Sequence, residues 1–299
     1  MEANRPPGET QSGLVVAVQR RHYTVDLDAG KRADCVLKGR AISLACGDRV
    51  EVSREHGAAV IVALAPRESL FYRSDAFNQK LIAANVTQVI GVIAPDVPVD
   101  EHLLNRWIIA AETERCRFVL VLNKADLPES GALAKRFAPY ATLGYPLVIV
   151  SALGDVAPLA ARVRGERSVI IGQSGMGKST LINALLPSAA ARTGELSKAL
   201  RSGRHTTTSA ALYRCEDGWI VDSPGMKVFG LAHCTPEAIA HAFVDLRDLV
   251  AQCRFRDCRH HREPGCAVQA ALAHGSVVPQ RVMLLQQLLR EAHEVRGRA

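Results

Sequence analysis

Hydrophobic positions in the first 65 residues come in short alternating runs. Leu14–Val18, Tyr23–Leu27, Asp34–Leu37, Arg49–Val52 and Ala58–Leu64 are each rich in Val, Ile, Leu or Tyr. Turn-forming segments Arg20–His22, Asp28–Lys31, Gly47–Asp48 and Glu55–Gly57 separate them. Five strands in about 50 residues, with no helix-length pattern, predict a small closed β-barrel of the OB type. Pro66 closes the segment, and Arg67–Lys80 reads as a polar connector.

From about residue 85 the period changes. The continuous apolar runs Val86–Ala94, Phe118–Leu122, Leu147–Val150, Ser168–Ile171 and Trp219–Val221 alternate with helical stretches. Within Glu101–Glu114, Leu103, Leu104, Trp107, Ile108 and Ala111 share one helical face. Strands buried on both faces read as unbroken Val/Ile/Leu runs, so this block predicts a doubly wound α/β domain. Beyond residue 232 the pattern turns mainly helical. Thr235 caps one helix with Pro236 in its first turn, and Pro279 starts a last one carrying Leu284, Leu285, Leu288 and Leu289. The chain therefore divides into a disordered tail (1–12), an OB-like barrel (13–66), an α/β domain (67–232) and a helical C-terminal domain (233–299).

Composition narrows the class. Of 299 residues, 48% are hydrophobic and 22% charged, which excludes wholesale disorder. No apolar run approaches the ~18–20 residues of a membrane span, and Met1–Ser12 lacks the apolar core of a signal peptide. Eight cysteines without an export signal fit a reducing cytoplasm, as buried thiols or metal ligands. The net charge of +7 is spread thinly over the three domains, so it does not by itself indicate nucleic acid.

The chemistry lies in motifs. Ser168–Ile171 leads into Gly172-Gln173-Ser174-Gly175-Met176-Gly177-Lys178-Ser179, followed by Thr180 and a helical run. This strand–loop–helix pattern wraps backbone N–H groups around phosphate, with Lys178 reaching the β/γ-phosphates and Ser179 on Mg²⁺. About 45 residues on, Trp219–Val221 ends in Asp222-Ser223-Pro224-Gly225. There Asp222 can hold the Mg²⁺ hydration shell and the Gly225 amide can meet the γ-phosphate. Phe118–Leu122 is followed by Asn123-Lys124-Ala125-Asp126, whose Asp accepts from guanine N1–H and its amino group, donors that adenine lacks. Ser151 and Ala152, after the next strand, match the loop whose backbone N–H meets guanine O6. An ordinary helix cap or Asx-turn at Asn123–Asp126 is the bland alternative; the phosphate loop decides against it.

The order is permuted. The base-reading segment precedes the phosphate loop, so the turn that senses the γ-phosphate runs directly into the C-terminal domain. There Cys253-x₄-Cys258-x-His260-x₅-Cys266 offers three thiolates and an imidazole, a closed tetrahedral Zn²⁺ set, with His261 as a rival ligand. Cys35, Cys46, Cys116, Cys215 and Cys234 have no ligand spacing and read as small buried residues.

Motif order, barrel and Cys/His tail together resemble the circularly permuted, small-ribosomal-subunit-dependent GTPases of the RsgA (YjeQ) family, over about residues 13–290. The resemblance implies one structural zinc, with His260 as its fourth ligand. It also implies late maturation of the small subunit, slow GTP hydrolysis stimulated by that subunit, and release on hydrolysis. Met226 stands where many GTPases carry a water-orienting Gln, and a thioether cannot do that work. His205 is the implied water-positioning group, with Lys178 the other catalytic residue. One of Thr206, Thr207 and Thr208, with Thr207 favoured, would join Mg²⁺ in the triphosphate state. Gly175 stands where some permuted relatives carry an Asn that supports a K⁺ site.

Partners implied are GTP/GDP and the small subunit with its rRNA; the chain reads as a monomer with no membrane contact. Basic clusters accompany the motifs: Arg254, Arg256, Arg259, His260, His261 and Arg262 in the tail; Arg20, Arg21, Lys31, Arg32, Lys38 and Arg40 with Tyr23 on the barrel; and Arg192, Lys198, Arg201 and Arg204 before the threonines. The competing reading is an RNA-binding module that holds GTP without hydrolysing it. An ATP-driven enzyme is a third.

Overall fold

The computed structural model describes residues 10–19, 22–38, 42–55, 57–74, 79–186, 210–215, 217–222, 231 and 234–296. The first five strands are β1 (Gln11–Gln19), β2 (His22–Leu27), β3 (Arg32–Leu37), β4 (Arg49–Glu55) and β5 (Ala58–Leu64). They close on themselves in the order β1-β2-β3-β5-β4-β1, with β3 and β5 parallel and the other pairs antiparallel. This is the predicted five-stranded barrel. Its interior is filled by Val15, Tyr23, Val25, Cys35, Leu44, Val50, Val52 and Ile61. β1 starts at Gln11, so Gln11 and Ser12 belong to the sheet rather than to a frayed tail, and Ser12 Oγ donates to Glu51 at 2.6 Å.

Residues 67–80 are not a simple connector. β6 (Leu70–Ser74) and β7 (Gln79–Ala84) form an antiparallel hairpin that buries Phe71, Ile82, Ala83 and Ala84. Its few apolar positions suffice because the core beside it supplies the remaining cover, and Leu70 N donates to Glu114 at 2.9 Å.

The central sheet contains β8 (Gln88–Ile93), β9 (Arg117–Leu122), β10 (Leu147–Ile149), β11 (Arg167–Gly172), β12 (Ala211–Cys215) and β13 (Gly218–Asp222). Its order is β10-β9-β8-β11-β13-β12, all parallel except the antiparallel edge strand β12. Side chains alternate between two cores, as strand pleating requires. On one face Val89, Phe118, Leu120, Leu122, Val169, Ile171 and Val221 pack with α1 (Glu101–Thr113). On the other, Ile90, Val92, Val119, Val121, Ile170 and Ile220 pack with α4 (Ala157–Val163) and α5 (Lys178–Leu185). The short helices α2 (Ser130–Phe137) and α3 (Pro139–Thr142) lie between β9 and β10.

Helix α1 follows the predicted face: Leu103, Leu104, Trp107, Ile108 and Ala111 are all buried, and Asp100 caps it by accepting from Leu103 N at 3.0 Å. Each such large apolar side chain contributes about 1.5–3 kcal/mol on burial. The C-terminal helices Pro236–His241, Arg247–Ala251, Ala267–Ala273 and Pro279–Arg296 share this core through Ile239, Leu249, Val268, Leu285 and Leu288, with Phe243 and Leu246 added from the connection between the first two. Thr235 caps the first by accepting from Ala238 N at 3.1 Å.

Barrel and central sheet are continuous. β1 pairs with β12 at Ala17 and Ala211, giving one sheet of eleven strands. Cys46 Sγ lies 3.6 Å from Val16 O and 3.4 Å from Ala210 O, and Arg214 Nε meets Asp26 at 3.2 Å. Four of the five cysteines outside the tail are buried as expected; Cys215 is only half-buried.

Candidate functional site

Parallel strands deliver their following loops to one edge of a sheet. After β11, the phosphate loop turns through Gly175 (φ 86°) and Gly177 (φ 82°), left-handed conformations that glycine adopts without steric cost. A Cβ on Gly177 would sit 2.5 Å from Asn123 Nδ2, and one on Gly172 would sit 2.9 Å from Val92 O. Lys178 opens α5, is buried, and donates to Gly172 O at 2.8 Å and Gln173 O at 3.0 Å. Burial lowers the pKa of its ammonium, and the Asp222 carboxylate opposes that shift. Met176 is buried beneath the loop, Ser179 is half-buried, and Ser174 and Thr180 are exposed.

The Asn123–Asp126 segment meets this loop directly. Asn123, 1% exposed, donates from Nδ2 to Met176 O and accepts from Ala152 N at Oδ1, each at 3.0 Å. Lys124, with φ 61°, donates to Gly175 O at 2.7 Å and pairs with Asp96 at 2.5 Å. Ala125 N donates to Val150 O, which aligns the segment with Ser151 and Ala152. The exposed Asp126 carboxylate accepts from Ser151 Oγ, which lowers its pKa and keeps it an acceptor. Sequence motifs did not single out Asp96 or Gln173–Asp100, where Asp100 N donates to Gln173 Oε1 at 3.1 Å. Asp96 follows the C-terminal end of a parallel strand, and that position was its only signal.

Asp222 ends β13 beside α5. Its carboxylate is 1% exposed, and among the described residues neither oxygen makes a hydrogen bond of full geometry. Burial raises its pKa to about 6, against the pull of Lys178 and the Ser179 hydroxyl. An orphaned buried carboxylate next to a hydroxyl at the phosphate loop is the oxygen donor set that Mg²⁺ takes together with nucleotide phosphates. His205, Thr206, Thr207, Thr208, Gly225 and Met226 lie outside the described residues, as do Arg192, Lys198, Arg201 and Arg204.

In the C-terminal domain, the ligand atoms of Cys253, Cys258, His260 and Cys266 lie within 4.8 Å of one another. His260 Nδ1 is 3.6 Å from Cys253 Sγ and 3.5 Å from Cys266 Sγ, and those two sulfurs are 3.9 Å apart. Tetrahedral Zn²⁺ with ordinary bond lengths spaces its S/S and S/N ligand pairs at about 3.8 and 3.6 Å. The donors therefore fit a zinc ion. Burial lowers the His260 pKa, favouring the neutral imidazole a metal needs, and pushes the Cys258 thiol up to about 12. A divalent cation removes that thiolate penalty. Gln269 Nε2, at 2.6 Å, donates to His260 O, which also accepts from Gln286 Nε2, and His260 holds φ 59°. His261 is exposed.

Around this cluster Arg254, Arg256, Arg259 and Arg262 are exposed, with the Arg254 guanidinium 5.4 Å from the centre of the Phe255 ring. The barrel set is less available. Tyr23 is in the barrel core, Arg32 pairs with Asp26 and Lys38 with Glu55, each at 2.7 Å; Arg20, Arg21 and Arg40 lie outside the described residues. Tyr23 therefore does not face RNA. Among the described residues, no helix is long and apolar enough to cross a membrane.

A barrel, an Asn-Lys-x-Asp segment placed before the Gly172–Ser179 loop, and a Cys₃His tail define a circularly permuted P-loop GTPase. The RsgA GTPase family model matches residues 64–232. A relative from Burkholderia pseudomallei (strain K96243), named small ribosomal subunit biogenesis GTPase RsgA, is 44% identical over 96% of this chain and 94% of its own length. One of the same name from Neisseria gonorrhoeae (strain NCCP11945) is 43% identical over 95% of this chain and 94% of its own length. The crystal structure of YjeQ from Thermotoga maritima superposes with a TM-score of 0.72 at 30% identity, covering 95% of this chain and 99% of that one. The circularly permuted GTPase YloQ shares the fold, with a TM-score of 0.69 at 20% identity over 97% of this chain and 98% of its own. The chain belongs to the RsgA GTPase family and is a GTP-hydrolysing enzyme.

Proposed function

We propose that the chain is an assembly GTPase of the small ribosomal subunit, whose slow intrinsic hydrolysis the subunit accelerates and which leaves on hydrolysis. The observation that carries this is the path of β13: it ends at Asp222 in the nucleotide site, and the chain then runs into the zinc-type tail. The relatives' shared name supplies the small subunit as partner. The domain bounds 13–66, 67–232 and 233–299 frame this division of labour.

Guanine is read by the Asp126 carboxylate, with Asn123, Lys124 and Ala125 shaping the pocket and Ser151 and Ala152 closing it. Phosphates are wrapped by Gly172–Gly177 with Ser179 and Thr180 at the helix start, and Gly225 N–H meets the γ-phosphate. Lys178, which donates to Gly172 O and Gln173 O at the mouth of the loop, reaches the β/γ-phosphates. Ser179, Asp222 and Thr207 would hold magnesium, whose charge would offset that building on the phosphate oxygens. His205 positions the attacking water, a task Met226 cannot perform. Cys253, Cys258, His260 and Cys266 hold one zinc ion that stiffens the arginine-rich loop Arg254–Arg262 for rRNA phosphates. The enzyme works in the cytoplasm as a monomer.

Turnover measured with and without purified small subunits tests the proposal. Strong stimulation by small subunits, absent with large ones, is expected. No stimulation, together with normal rRNA binding and subunit maturation by Lys178→Ala, would overturn it.

A further inference from the structure

The nucleotide loops occupy the C-terminal edge of the parallel strands. At the opposite edge lies a cleft of about 800 Å³, formed by the ends of α1 and α4, the starts of β8 and β9, the turn before β10, and the first C-terminal helices. Six-residue strands place it about 20 Å from the phosphate loop. Its volume is that of a small-molecule site.

Two features of the cleft point to a ligand. Arg115, Arg162 and Arg247 line it from three different elements; all are exposed, and none is in an ion pair among the described residues. The C-terminal end of α1 carries only about half a negative charge, so one cation would satisfy it. Arg247 also balances part of the Glu112 carboxylate, and the three guanidinium groups together still leave a positive surplus suited to a phosphate. Deeper in, Tyr145 is 3% exposed and packs edge-on against Phe118 with ring centres 5.9 Å apart. Among the described residues its hydroxyl makes no hydrogen bond of full geometry, and the half-buried Glu112 carboxylate, itself drawn toward Arg247, stands beside it as a weak partner. A buried hydroxyl without a full partner costs free energy until something pairs with it. A ligand that fits both features presents adjacent donors and acceptors on a flat head, with a phosphate at the other end.

We propose that this cleft is a second nucleotide site, binding a nucleoside phosphate with its base edge on Tyr145 and Glu112 and its phosphate on Arg115, Arg162 and Arg247. A free mononucleotide and the phosphorylated end of an RNA strand offer the same chemistry. The proposal is independent of the ribosomal role, because it concerns residues that the GTP site does not use.

The test uses the full chain with its first site saturated by a non-hydrolysable GTP analogue and magnesium. Calorimetric titration with the four nucleoside 5′-monophosphates and with a 5′-phosphorylated tetranucleotide should reveal one further saturable site. Saturation by a monophosphate identifies a free-nucleotide site; saturation by the tetranucleotide alone identifies a strand end. The double variant Arg115→Ala/Arg247→Ala changes only exposed side chains and should weaken this binding at least tenfold, while analogue binding and circular dichroism stay unchanged. Glu112→Gln should reorder preference among the bases rather than weaken all of them equally. No saturable binding up to millimolar probe, or binding that the double variant leaves intact, would overturn the proposal.

Discussion

The Asn123 side chain joins the Asn123–Asp126 segment to the glycine-rich loop after β11, donating to Met176 O at 3.0 Å while accepting from Ala152 N. Replacing it with Ala strands a buried carbonyl and an N–H, at about 1–3 kcal/mol for the pair of loops. Asn123→Ala is expected to lower unfolding stability without nucleotide and to weaken GTP and GDP alike by at least tenfold. Asp126→Asn should leave stability unchanged and shift preference from guanine to xanthine nucleotides. Denaturant melts and nucleotide titrations separate these outcomes.

Asp222 makes the ligand-free protein sensitive to pH. Its folded pKa, raised by burial to about 6, exceeds the usual carboxylate value, so folding takes up a proton between about pH 4 and 6. Its contribution to stability therefore falls as pH rises through that window, and the penalty is complete above it. With chelator and no nucleotide, Asp222→Asn should gain roughly 1–3 kcal/mol at pH 7.5 and almost nothing below pH 4. The same variant should lose magnesium-dependent GTP hydrolysis. Equal melting temperatures at pH 7.5 would count against the buried, unpartnered carboxylate.

Gly47 sits where barrel meets enzyme, at φ 94°, and a Cβ there would lie 2.2 Å from Ala84 O and 3.1 Å from the Trp219 ring. Backbone cannot yield as a flexible side chain can. Gly47→Ala should cost more than about 2 kcal/mol, combining left-handed strain with the clash. Gly57→Ala, at φ 85° with open space around it, should cost only the strain. Paired denaturation curves check the difference.

The Cys₃His cluster should hold one equivalent of zinc per chain. Cys258→Ser or strong chelation is expected to release it and open residues 253–266 to proteolysis, while GTP binding survives. Metal analysis and limited proteolysis read both effects; a resistant tail without metal would refute the structural role.

Arg281 clasps the last helix to the enzyme, pairing with Asp245 through two nitrogens at 2.8 and 2.6 Å, donating to Asn105 at 2.6 Å and stacking 4.7 Å from the Phe243 ring centre. Arg281→Ala should cost about 3–5 kcal/mol because Asp245 is left largely buried and unpaired. Arg281→Lys should recover little, since a point charge cannot replace the planar fork. Unfolding midpoints of the three proteins test this.

Much of this structure could be read from local pattern. Strand alternation predicts the barrel, Thr235 and Pro236 a helix start, and the Leu103–Ala111 face the burial of α1. The hairpin β6–β7 escapes because burial of Phe71 and Ile82 comes from distant neighbours rather than from its own periodicity. Tyr23 is ambiguous for a related reason: an aromatic residue in a strand reads the same whether it faces RNA or a barrel core, and only closure of the barrel decides. Motif spacing finds the Asn123–Asp126, Gly172–Ser179 and Cys/His groups because each is nearly contiguous. The Asp96–Lys124 ion pair and the arginine cleft join residues remote in sequence, and no window along the chain contains them.

The pairing of Ala17 with Ala211 also has a protective consequence. β12 is the outer strand of the catalytic sheet, and an uncovered outer strand is a template for sticking to other chains. By pairing β1 with its first residue, the barrel guards the start of that edge as well as serving as a module. A version of the enzyme trimmed to the nucleotide domain would expose that raw edge, and its first failing would be poor solubility rather than poor catalysis.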